Sequence, residues 1–328
     1  MKKIKISFLI LALSSFVCTS QVINEKQSLL LKTFGFIHGQ HSTLNYIKLN
    51  FPSLNIEATT TELEFNKNYS EALSKIYDDV KNIYGDRFKD YLTSVKNSSE
   101  KYYELKKMSK ENATLFIEKV KNRSKGIINS PYLETLLKYQ YIDNPIDEFT
   151  ANYYNIHSVK SYSNSKKVEL SVKIPISWKE IDGMFPAVLK KFRSDYGTGN
   201  EIITITIDKI NSPLKINDFF TEKELSKEVP NDGKIVSSYS KNIDTKLTGI
   251  VEYEEINPNT SSNQKRVVIQ YVQIYQNSVL RINCATYGTV TEDFDLRIKK
   301  FKPLYLTILK SIDLNNLAKK NNTIANKI

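Results

Sequence analysis

Residues 168–208, VELSVKIPISWKEIDGMFPAVLKKFRSDYGTGNEIITITID, decide how the chain is read. Val168, Leu170, Val172 and Ile174 alternate with polar neighbours, the period-two signature of a strand with one buried face. Pro175 and Trp178 mark a turn, residues 186–192 are expected to form a short helix, and residues 201–208 the next strand. Gly197-Thr198-Gly199 lacks the Gly-Lys-Ser/Thr of a phosphate loop and leads into a strand rather than a helix, so it reads as a turn.

Downstream of this stretch the strand pattern dominates. Thr221-Glu222-Lys223-Glu224 has capping-box spacing and opens a helix toward Val229, which Pro230-Asn231-Asp232-Gly233 ends. Residues 235–243 and 247–256 read as strands, and residues 266–276 and 279–287 as a hairpin rich in β-branched and aromatic residues. A closing helix from Thr291 carries Phe294, Ile298, Phe301, Tyr305, Ile308 and Ile312, and Pro303 is expected to kink or divide it. This order predicts an α+β fold, a mainly antiparallel sheet covered by helices.

Upstream, residues 141–167 are polar and irregular and are read as the junction between two domains. Before it the pattern is helical. An apolar segment at 28–34 is followed by GFIHGQHS at 35–42, read as a glycine-punctuated bend, and by a short helix from Ser42 that stops before Phe51-Pro52. Residues 57–65, rich in threonine, read as an edge strand or an extended connector. Amphipathic helices then follow Ser70, Asp86, Ser109 and Pro131, with apolar stripes such as Ala72, Ile76 and Val80. The expected plan is a small helical domain over 21–160, an α+β domain over 161–314 and a flexible tail over 315–328.

Residues 1–20 have the pattern of a secretory signal peptide: Lys2, Lys3 and Lys5 precede an apolar run at 6–17, and Cys18 and Ser20 place small residues before a cut at Gln21. The run is shorter than the ~20 residues a spanning helix needs. Lipidation at Cys18 is the minor alternative, because Phe16 and Val17 are bulkier than the residues that usually precede a lipidated cysteine. Export is therefore expected, to the periplasm or the medium, with no transmembrane span left after cleavage. The net charge is +11, which aids solubility and mildly attracts acidic surfaces; an exported location makes nucleic acid an unsuitable partner. Cleavage at Gln21 would leave Cys284 as the one cysteine, so no internal disulfide would crosslink the mature fold.

Ile174-Pro175, Ser177-Trp178 and Phe192, together with the order of the late hairpin and the closing helix, resemble the PsbP-like α/β/α sandwich proteins over roughly the last 150 residues, the size of one domain. The chain is also similar to exported bacterial proteins with a helical part ahead of such a domain. The resemblance implies a PsbP-like sandwich and a non-enzymatic binding or accessory module of the envelope. No binding residue of the family is matched here, so the resemblance speaks to fold before function.

His38 and His41 form H-x-x-H, expected in a surface loop; a metal site is the sharper alternative, but zinc needs three or four protein ligands and none is spaced nearby. Cys284 shares strand parity with Leu280 and Ile282 and is expected in the core. Glu292, Asp293 and Asp295 fit the positive end of the closing helix without catalysis. The ligand-binding candidates are Tyr271 and Tyr275, on one face of a strand, and Trp178, each with core packing as the plainer alternative. No catalytic residue, metal or cofactor is assigned. The expected function is a non-catalytic binding or accessory module of the cell envelope whose partner is an unidentified protein or small ligand. The alternatives are an extracytoplasmic hydrolase whose residues converge only in space, or a carrier of a small hydrophobic ligand.

Overall fold

The computed structural model describes residues 25–102, 104–161, 168–182, 188–209, 216–257, 264–275 and 278–313. The signal peptide expected at 1–20 and the flexible tail expected at 315–328 lie outside them. The chain divides into two compact units between Gln140 and Tyr141. That is ahead of the expected 160/161 boundary, because the supposed junction contains a short helix and a paired strand. Among the described residues no helix is long and apolar enough to cross a membrane.

The first unit is helical: α1 (Glu25–Asn50), α2 (Asn55–Asn68), α3 (Ser70–Tyr84), α4 (Phe88–Tyr102), α5 (Lys110–Ser124) and α6 (Tyr132–Gln140). Here α1 is the central element and touches each of the other five. The bend expected at 35–42 is absent, and α1 runs through Gly35 and Gly39 without a break. Each glycine weakens a helix by about 1 kcal/mol relative to alanine, but burial against five neighbours outweighs that cost. Buried hydroxyls are satisfied within the helix, as when Thr43 Oγ1 donates to the Gly39 carbonyl at 2.8 Å. The strand or connector expected at 57–65 is also a helix, α2. Ala58, Thr61 and Phe65 face the core at helical spacing, so the threonine-rich run had masked a 3.6-residue stripe. Ser109 caps α5, accepting from the Asn112 amide at 3.2 Å.

The second unit begins with α7 (Ile146–Thr150) and β1 (Tyr154–Ser161), which pairs antiparallel with β2 (Val168–Pro175) as a separate ribbon. A seven-stranded sheet is built from β3 (Lys179–Ile181), β4 (Val188–Arg193), β5 (Glu201–Lys209), β6 (Lys234–Ile243), β7 (Lys246–Asn257), β8 (Gln264–Tyr275) and β9 (Ser278–Thr289). Its order is β3-β4-β5-β9-β8-β7-β6, and every neighbouring pair is antiparallel. The helix expected at 186–192 is instead strand β4 where the structure describes it. Val188, Leu189 and Phe192 suit a helical stripe as well as a strand, and pairing with β3 and β5 decides between them.

One face of the sheet, with Ile205, Tyr271, Ile282 and Cys284, packs against the ribbon residues Leu170, Val172 and Ile174 and against α10 (Phe294–Lys310). The opposite face packs Val251, Tyr253, Val268 and Ala285 under Phe220 and Leu225, carried near and on the short helices α8 (Ile216–Phe219) and α9 (Glu222–Leu225). The result is an α+β sandwich. Asp293 caps α10 by accepting from the Leu296 amide at 2.9 Å, and Thr221 caps α9 as its sequence implied. Pro303 does not divide α10. It lies on the exposed side with Lys299, so the carbonyl that loses its helical donor is open to water. Just past α10, Asp313 and Ser171 exchange backbone hydrogen bonds of 2.9 Å, which fixes the end of the helix to β2.

Candidate functional site in the helical unit

The helical spacing of α1 places Phe34, Ile37, His38, His41 and Leu44 along one side of that helix. With Phe65 of α2 and Leu73, Ile76 and Tyr77 of α3 they wall a groove of about 230 Å³. Its walls are predominantly apolar, and its polar groups are His38, Gln40, His41, Glu62 and Asn66.

Most of these polar groups hold one another. Glu62 Oε1 lies 2.6 Å from His41 Nδ1, and Lys48 Nζ donates to Glu62 Oε2 at 2.8 Å. Asn45 Nδ2 lies 2.9 Å from His41 Nε2. With the Asn45 amide donating, Nε2 is the acceptor nitrogen, and Nδ1 carries the proton that goes to Glu62. Burial works to raise the pKa of Glu62, but the bonds from His41 and Lys48 outweigh it and hold the carboxyl below its ordinary value. Gln40 Oε1 accepts from Arg123 Nη1 at 2.9 Å.

His38 differs. Its ring packs on Phe34 with centroids 4.2 Å apart, and it has no hydrogen-bond partner among the described residues. Burial, reinforced by repulsion from His41, lowers its pKa to about 4, so the imidazole is neutral at pH 7.

The H-x-x-H pair therefore lies on a buried-faced helix and not in a surface loop. Among the described residues no group of three or more His, Cys, Asp or Glu is placed to hold a metal ion. Glu62, the acidic partner of His41, is distant in sequence and on a segment read as extended. The alternation of helices α1 and α2 is the signal that would have found it.

The other candidates are placed in the second unit and are not brought to this groove. Tyr271 is 2% exposed and Trp178 is 6% exposed, both inside the core beneath α10, and Tyr275 packs against the same cluster. The Trp178 ring meets Phe301 edge-on at 6.4 Å. Burial pushes the Tyr271 phenol well up. Cys284 is fully buried in that cluster, and its thiol is likewise pushed up by burial. His157, on β1, sits against Phe192 at 4.7 Å with Glu180 Oε2 3.4 Å from its Nδ1. The turn at Gly197 takes a φ of +93°, as a glycine turn requires.

No family model matches the chain, and no curated protein matches it. Solved structures similar to it include the cyanobacterial PsbP (CyanoP) of Synechocystis sp. PCC 6803, at 16% identity over 48% of this chain and 92% of that one, with a TM-score of 0.36. The Ran-binding protein Mog1p of Saccharomyces cerevisiae is similar at 12% identity over 50% of this chain and 98% of its own, with a TM-score of 0.34. LpqN of Mycobacterium tuberculosis, described as involved in cell envelope biogenesis, is similar at 10% identity over 52% and 95%, with a TM-score of 0.33. These likenesses assign the chain no activity.

Proposed function

We propose that the protein is an exported, non-catalytic binding module of the cell envelope, and that its helical unit receives an apolar group in the α1–α2–α3 groove. The observation that carries this reading is the groove itself, a concave apolar site with a few polar groups converging on it. The arrangement of those groups favours binding over catalysis. The Nε2 of His41, the atom a general base would use, is engaged by Asn45. The basic start and apolar run of residues 2–17 support export.

The test is calorimetric titration of the exported chain with small apolar probes, repeated with Leu73→Trp, which fills the groove. Saturable binding that the variant loses is the expected result. Binding of equal strength in both proteins would remove the groove from the reading. Mass spectrometry of the mature N-terminus addresses export: a chain starting at Gln21 is expected, and a diacylated Cys18 would replace secretion with lipid anchoring.

A hydrolase is the second reading, favoured by the 2.6 Å contact between His41 and Glu62. Ester hydrolysis by the wild-type chain that disappears in His41→Ala would establish it.

A further inference from the structure

We propose that the groove selects an uncharged, ring-bearing molecule with one hydroxyl, a phenol or an alicyclic alcohol, whose hydroxyl hydrogen-bonds the imidazole of His38. This rests on the reading of the groove as a binding site and names what it binds.

Size is the first argument. An apolar cavity of about 150 Å³ accepts benzene. A groove of about 230 Å³ thus has room for one substituted ring or a compact fused pair. Phe34 and Phe65, both buried, close the floor of the groove, and Tyr77, 39% exposed, offers ring surface for such a ligand.

Polarity is the second. Gln40, His41 and Glu62 are each engaged by Arg123, Asn45 or Lys48; His38 and Asn66 have no hydrogen-bond partner among the described residues, and of these Asn66 is exposed to water while His38 is half-buried in the wall. A neutral imidazole presents one N–H donor and one acceptor nitrogen, and a hydroxyl is the smallest group that can answer either. The lowered pKa of His38 keeps it in that neutral form.

Charge is the third. A ligand carboxylate would enter beside the Glu62 carboxylate, whose nearby cation, Lys48, is already paired with it. A ligand ammonium would lose its water while both oxygens of Glu62 are occupied. Either charge is desolvated without a free counterpart, whereas a hydroxyl has none to desolvate.

The experiment titrates the exported chain with p-cresol, p-toluate, 4-methylbenzylammonium and p-xylene, following heat and the His38 ring signals by NMR. p-Cresol is expected to bind about tenfold more tightly than either ion, and to shift the His38 signals. His38→Phe, which keeps the packing on Phe34, should weaken p-cresol about tenfold and leave p-xylene unchanged, as one lost hydrogen bond requires. His38→Gln, which keeps a donor and an acceptor, should recover part of the loss and also serves if the phenylalanine variant fails to fold. Tighter binding of either ion overturns the proposal. If p-xylene and p-cresol bind wild type equally, the hydroxyl assignment falls and the apolar groove stands. If none of the four saturates, the groove reading falls and takes this one with it.

Discussion

At the scale of single residues, His38 ties the stability of the helical unit to pH. Its folded pKa is about 4 against an ordinary 6.5. The unfolded imidazole therefore takes up a proton that the folded one refuses, and stability falls as pH drops from about 6.5 to about 4. Allowing for its partial exposure, the loss is about 1–2 kcal/mol, complete below about pH 4. Urea unfolding at about pH 7 and about pH 4.5 should show a smaller acid loss in His38→Phe than in wild type; equal losses would contradict the assignment. Glu148 is a second such residue. Buried on α7, it accepts from the Ser177 amide at 2.7 Å and from Ser177 Oγ at 2.6 Å, and so holds the turn that follows β2. Glu148→Ala leaves two buried donors unmet and should cost about 1–3 kcal/mol, read from the urea midpoint. Neither role was legible beforehand. His41 was singled out, but its partner Glu62 lies 21 residues away, and Glu148 stood in a stretch read as a polar linker.

At the scale of elements, helices are legible where they bury one face, and strands where β-branched and aromatic residues are dense. The helices α3 and α5 carry one-sided stripes, whereas β8 is buried on both faces over residues 267–273 and is legible from its composition. The central α1 is wrapped by five neighbours, so its apolar residues do not form one stripe, and two glycines inside it mimic a bend. Those glycines make a direct prediction. A Cβ at Gly35 would meet nothing within 4 Å, so Gly35→Ala should stabilise the unit by about 0.5–1 kcal/mol, seen as a higher Tm. Gly249 on β7 is the opposite case. A Cβ there would lie 2.4 Å from Leu225 Cδ2, which is fully buried. Gly249→Ala should lift α9 from the sheet and cost about 1–3 kcal/mol by the same measurement.

At the scale of the whole molecule, a helical unit and an α+β sandwich follow one another along the chain, each with its own core. The sandwich uses no crosslink, since Cys284 is free and buried. Reducing agent should leave the Tm of the protein unchanged; a fall would reveal a disulfide through Cys284. The sheet order carries a consequence for how the protein is made. β9 is the last strand among the described residues, yet it is inserted between β5 and β8. Until it leaves the ribosome, the pieces β3-β4-β5 and β6-β7-β8 have no strand to join them. Such non-local closure is slow. The sandwich thus stays open until residues 278–289 have been made, and until then the edges of β5 and β8 lack the strand that joins them.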